Sequence, residues 1–275
     1  MTGFKQVAAA RGGAWLQRGW QLRHAEPRLW LAMAAVYLAL AVVLELIPFI
    51  GRLILVLFTP LMLLGALPVA AALAGKGLPA KAMPAAPAEG GLGGRLRYLR
   101  ELLGTGAQRL FDGARDDEKL MPIMVVSTLV LGALVLIQIL AQLLKANPGA
   151  LADTLASGVS SSVWITAVLG VAIVLAFDVL LVLAVLYAVP LILFRREHPL
   201  PAIATSFRAA TANLGAVTLF VGTFVVISVA ARTLFHVLSF PLDYLVFTAI
   251  GLVALPLFVA GLYASYQELF PGAAR

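Results

Sequence analysis

Six runs of about twenty apolar residues, separated by polar stretches, constrain this chain more than any other feature of it. A helix needs about twenty residues to cross the hydrocarbon core of a bilayer, and it satisfies its own backbone there. The sequence therefore predicts an all-α integral membrane bundle of six transmembrane helices. Composition agrees: 62% of the 275 residues are hydrophobic and 12% are charged, with a mean hydropathy of +1.00. A soluble domain carries about 25% charged residues, and a surface that faces lipid accounts for the shortfall.

Residues 1–28 are too polar to span. From Arg11 to His24 they fit a helix with Trp15, Leu16, Trp20 and Leu22 over one broad face and Arg11, Gln17, Arg18, Gln21 and His24 opposite. Tryptophans beside arginines suit a helix at the headgroup level; a cap packed on the bundle gives the same pattern. A transmembrane hairpin is expected over 29–73, its spans at 29–47 and 53–73 joined by the turn Pro48-Phe49-Ile50-Gly51. Residues 74–120 combine a Gly/Ala/Pro-rich flexible linker (74–94) with a second amphipathic helix. In that helix Leu96, Leu99, Leu102, Leu103, Leu110 and Phe111 share an arc opposite Arg97, Glu101, Gln108 and Arg109.

A second hairpin is expected over 121–194. Its first span covers 121–144, and Asn147-Pro148-Gly149 supplies turn chemistry in the loop that follows. The fourth run, Trp164 to Phe194, exceeds what a crossing needs, so it tilts, projects from the bilayer or bends at Pro190. Residues 195–213 form a third amphipathic segment with Ile203 and Phe207 one turn apart. A third hairpin occupies 214–266, and 267–275 form the tail. The recurrence of amphipathic helix, span, turn, span suggests a threefold parallel repeat. The long polar-punctuated start and the long first run fit a retained span rather than a cleaved signal peptide.

Charge sets the orientation. Of the twenty Lys and Arg residues, only Arg52, Lys145 and Arg232 fall on one side; seventeen fall on the other. By the positive-inside rule both termini are cytoplasmic. The net charge of +7 thus sits beside membrane spans, and the partners it implies are anionic lipid headgroups rather than nucleic acid. Partner membrane proteins are the other expected contact.

Asp178 is the sharpest chemical candidate, because a carboxylate in the middle of an apolar run is costly. It binds a proton or cation, or, protonated, joins two helices. Glu45 and Arg232 lie near the outer ends of their spans; they pair with each other, Glu45 pairs with Arg52, or each reaches the outer headgroups. Gln138 and Gln142 suggest interhelical hydrogen bonds, and Gly261 with Ser265 a close helix contact.

The sequence holds no G-x-x-x-x-G-K-[ST], H-E-x-x-H or G-x-S-x-G motif. It has no cysteine, which removes thiolate catalysis and zinc–thiolate sites. His24, His198 and His236 are scattered, and Asp112, Asp116, Asp117 and Glu118 lack calcium-loop spacing. No cofactor, metal or catalytic residue is expected. The leading function is non-enzymatic organisation of lipids or partner proteins. The alternatives are transport of a small solute or lipid through Asp178, and a membrane-embedded enzyme.

Several local patterns carry a resemblance: Trp15 through Trp20, Ile47-Pro48-x-x-Gly51, Ala188-x-Pro190-Leu191, Ala202-x-x-x-Ser206 with Asn213, and Tyr263-Ala264-Ser265-Tyr266 with Phe270. In these the chain resembles a family of uncharacterised proteobacterial six-span inner-membrane proteins that carries a Burkholderia locus-tag label. Its C-terminal third is loosely similar to membrane domains attached to some glycerophosphodiesterases. The resemblance implies an inner-membrane location and six helices, and it brings no activity and no functional residue.

Overall fold

The computed structural model describes residues 3–47, 50–75, 91–143, 161–237 and 242–272, with the side chains of 161–167, 232, 234–245 and 247 outside the description. Most of the 74–94 linker, the Asn147-Pro148-Gly149 turn and Pro48-Phe49 therefore lie outside the described residues.

Among the described residues there is no strand. The α-helices in chain order are α1 (Arg11–Ala25), α2 (Pro27–Glu45), α3 (Ile50–Ala74), α4 (Leu92–Asp112), α5 (Asp117–Leu143), α6 (Ser161–Val185), α7 (Ala188–Arg195), α8 (Pro199–Ala212), α9 (Leu214–Val237) and α10 (Leu242–Leu269). Six stretches are long and apolar enough to cross a membrane: Pro27–Glu45, Ile50–Ala74, Asp117–Leu143, Val168–Arg195, Leu214–Ala231 and Thr248–Leu269. The protein is an all-α multi-pass membrane bundle.

The overlong fourth run bends, as one of its three expected behaviours. Pro190 has no amide to offer the Leu186 carbonyl, and the helix breaks at Leu186 and Tyr187 between α6 and α7. The Ser206 hydroxyl of α8 enters the opening. It accepts the Tyr187 N–H at 2.9 Å and donates to the Leu183 carbonyl at 3.0 Å. Those two groups would pair directly in an unbroken helix, so the side chain replaces one rung of the ladder.

The segment before α1 and the end of α10 meet at one end of the bundle, where the Lys5 N–H donates to the Leu269 carbonyl at 2.8 Å. We call this end proximal and the other distal. The core is concentrated proximally. Fully buried side chains include Trp15, Leu29, Trp30, Leu67, Ile123, Leu191, Tyr187, Phe220, Leu262 and Phe270, which come from both ends of the chain. Distally fewer side chains are buried: Leu46, Leu136 and Leu143 are 76%, 67% and 76% exposed, and Val226, midway along α9, is 68% exposed. Those apolar surfaces face lipid, where exposure carries no hydrophobic penalty.

Glycines permit the tight proximal packing. The buried face of α1 is Gly12, Trp15, Gly19 and Leu22. A Cβ on Gly19 would lie 2.7 Å from the Gly261 nitrogen of α10, and one on Gly12 would strike the Ala216 carbonyl of α9. Likewise Gly65 of α3 meets the Arg109 and Leu110 carbonyls of α4, and Gly106 of α4 lies against Ala32 of α2. Gly132 and Gly222, in the apolar interiors of α5 and α9, meet nothing within 4 Å.

Candidate functional site

The three intramembrane candidates do not form one constellation among the described residues. Asp178 is half-buried on α6, between exposed Phe177 and Val179. No hydrogen bond or ion pair to it is found among the described residues. Glu45 is exposed at the end of α2, and no ion pair links it to Arg52 there. The Arg232 side chain lies outside the described residues. α6 packs on α8 and α5, whereas α2 packs on α4, α10 and α3, so the two carboxylates belong to different parts of the bundle. Gln138 and Gln142 are exposed on α5.

The polar residues that do converge lie at the proximal end. Glu268 of α10 accepts two bonds from Arg11, at 2.7 and 3.0 Å, and a third from the Trp15 indole at 2.7 Å. Asn213, between α8 and α9, accepts the Val7 N–H at 2.7 Å. Its amide donates to the Lys5 carbonyl at 3.0 Å and to the Ala209 carbonyl at 2.9 Å. Asn213 thus ties the N-terminal segment to the α8–α9 corner while ending α8. Beside it, Tyr187, Phe194, Tyr263, Tyr266 and Phe270 pack ring against ring at 5.3–5.7 Å, and the Arg195 guanidinium stands 5.1 Å over Phe270.

Gly261 and Ser265 make their close contacts inside the molecule. Ser265 is fully buried, and a Cβ on Gly261 would lie 2.6 Å from Phe220. In the acidic cluster before α5, Arg115 reaches Asp112 at 3.1 Å and Lys119 reaches Asp116 at 2.6 Å. The hydrogen bond from Lys119 holds the Asp116 carboxyl below the usual carboxylate range. Among the described residues no three His, Asp or Glu side chains gather to hold a metal.

The surface with the strongest chemical direction is on α4. Successive residues turn by about 100°, which places Leu92, Leu96, Leu99, Leu103 and Leu110 on one narrow arc. Leu110 is 4% exposed against α2 and α3, but Leu92, Leu96, Leu99 and Leu103 are 77%, 57%, 50% and 41% exposed. The face that docks α4 on the bundle therefore continues uncovered beyond it. Arg95 and Arg100 border the arc on either side, and Arg97 lies further round; all three are exposed. On α1 the exposed Trp20 carries the Arg23 guanidinium 5.1 Å from its ring centroid, with His24 packed alongside at 4.5 Å.

Sequence reasoning identified the α4 leucine arc and the Trp15–Trp20 segment. It missed the Glu268 and Asn213 junctions. Asn213 stood out only as part of a recognisable pattern, and Glu268 drew no signal because a carboxylate at a span terminus is ordinary. No protein-family model, no curated protein and no solved structure matches the chain.

Proposed function

We propose that this chain is a non-enzymatic multi-pass protein of the bacterial inner membrane, with both termini in the cytoplasm, that binds anionic lipid at the cytoplasmic leaflet and organises lipids or partner proteins there. The observation that carries the reading is the uncovered leucine arc of α4 between arginines. An apolar stripe bordered by cationic side chains fits the boundary between acyl chains and anionic headgroups. The exposed Trp20–Arg23 pair on α1 offers the same chemistry a second time. Its side of the membrane follows from the Lys/Arg asymmetry.

The chain has no cysteine, so Leu99→Cys gives a unique labelling position. With an environment-sensitive dye there, the protein is compared in nanodiscs of phosphatidylcholine and of phosphatidylcholine with phosphatidylglycerol. The dye is expected to report an apolar setting, quenched by lipids carrying a quencher high on the acyl chain. Replacing Arg95, Arg97 and Arg100 with Gln should weaken the quenching most in phosphatidylglycerol. A dye that remains in water in both membranes overturns the reading.

A further inference from the structure

A cavity of about 170 Å³ lies between α2, α3 and α10, with Leu110 of α4 on its wall. Apart from Tyr37 and Thr59, whose hydroxyls are 3.2 Å apart, every lining side chain is apolar. Trp30, the only other one with a polar atom, already donates its indole N–H to the Leu22 carbonyl. Met33, Met62 and Ala66 form the deep wall and are almost fully buried, and Phe258 closes the α10 side. Apart from that hydroxyl pair the space offers a water few hydrogen-bond partners, and a space lined in this way takes apolar ligands.

The depth of the cavity selects its occupant. Tyr37 lies eight residues from the distal end of α2, about 12 Å along the axis, and Trp30 lies about 10 Å further toward the proximal end. The cavity therefore runs through the proximal half of a hydrocarbon core about 30 Å thick. Its walls are membrane-spanning helices, so the medium beside it is lipid tail. At its proximal end a cation stands next to a lining residue: Arg109, half-buried, beside Leu110 of α4.

We infer that this cavity is a binding site for a segment of one acyl chain of an anionic phospholipid in the proximal leaflet, with the headgroup held at the proximal boundary beside Arg109. The inference rests on the lipid reading above and gives it a single-molecule site within the bundle.

The test is photocrosslinking of the full-length protein in nanodiscs with a phosphatidylglycerol bearing a diazirine on one acyl chain, mapped by mass spectrometry. Adducts on Met33, Met62 and Phe258 are expected to exceed severalfold those on Val226, which is exposed to lipid on α9. Ala34→Trp should fill the space and remove the excess without changing Val226 labelling. If that variant does not fold, Ala66→Phe fills the cavity from the facing helix and must give the same result. Adducts spread evenly over lipid-exposed residues, or unaffected by both variants, overturn the site. A diazirine fatty acid that labels the cavity and resists competition by phosphatidylglycerol overturns the phospholipid assignment. Adducts on Leu96 and Leu99 in the same digest report the α4 surface separately. Labelling there without the cavity sinks this site alone, and cavity labelling without it sinks the α4 reading.

Discussion

The Ser206 hydroxyl stands between two main-chain groups that an unbroken helix would join to each other. Tyr187 is fully buried and Leu183 nearly so, so water cannot replace the hydroxyl if it is removed. Ser206→Ala is therefore expected to destabilise the protein by about 1–3 kcal/mol, the cost of leaving buried backbone groups unpaired. Adding Pro190→Ala should recover part of that loss, because an amide at 190 lets the helix close and Tyr187 bond Leu183 directly. Thermal denaturation in detergent of the two single variants and the double variant checks this, and additivity would contradict it. Pro190 was legible in the sequence as a bending residue, and Ser206 only as part of a recognisable pattern. Their partnership was not, since sixteen residues separate them and serine carries no sign of which carbonyl it will meet.

At the scale of the element, α1 shows what an apolar-face argument omits. Trp15, Leu16, Trp20 and Leu22 define its expected face, yet the helix buries Gly12, Trp15, Gly19 and Leu22 and leaves Trp20 46% exposed. Glycine has almost no hydrophobicity, so periodicity does not register it; its value here is the space it leaves for another backbone. Gly19→Ala must push α1 from Gly261 and is expected to cost about 1–3 kcal/mol. Gly13→Ala, whose new methyl finds only a Leu219 methyl at 3.9 Å, should be neutral or stabilising by up to about 1 kcal/mol. Equal thermal shifts for the two variants would contradict the packing. The spans and the α4 arc were readable because length and leucine spacing determine them. The end of α7 was not: Arg196 takes a left-handed conformation, φ 54°, that sequence assigns more readily to glycine.

For the whole molecule, hydropathy fixed which segments cross the membrane but not where they pack. A leucine facing lipid and one facing another helix look alike in sequence, because both surroundings are apolar. The proximal concentration of the core has a measurable consequence. Leu67→Ala, at a fully buried position, should cost about 2–5 kcal/mol. Leu136→Ala, 67% exposed on distal α5, opens no cavity and should change the detergent melting temperature little. A comparable loss at Leu136 would mean that the distal helices pack together after all. The Arg11–Glu268 and Lys5–Leu269 contacts join α1 and the segment before it to the end of α10. A ribosome delivers α10 only after all the spans between it and α1. Throughout insertion of the intervening spans, the glycine face of α1 waits without its seat on the final helix. Maturation of this protein therefore hinges on its sixth span, and a chain stalled before Glu268 leaves the nascent bundle unlatched.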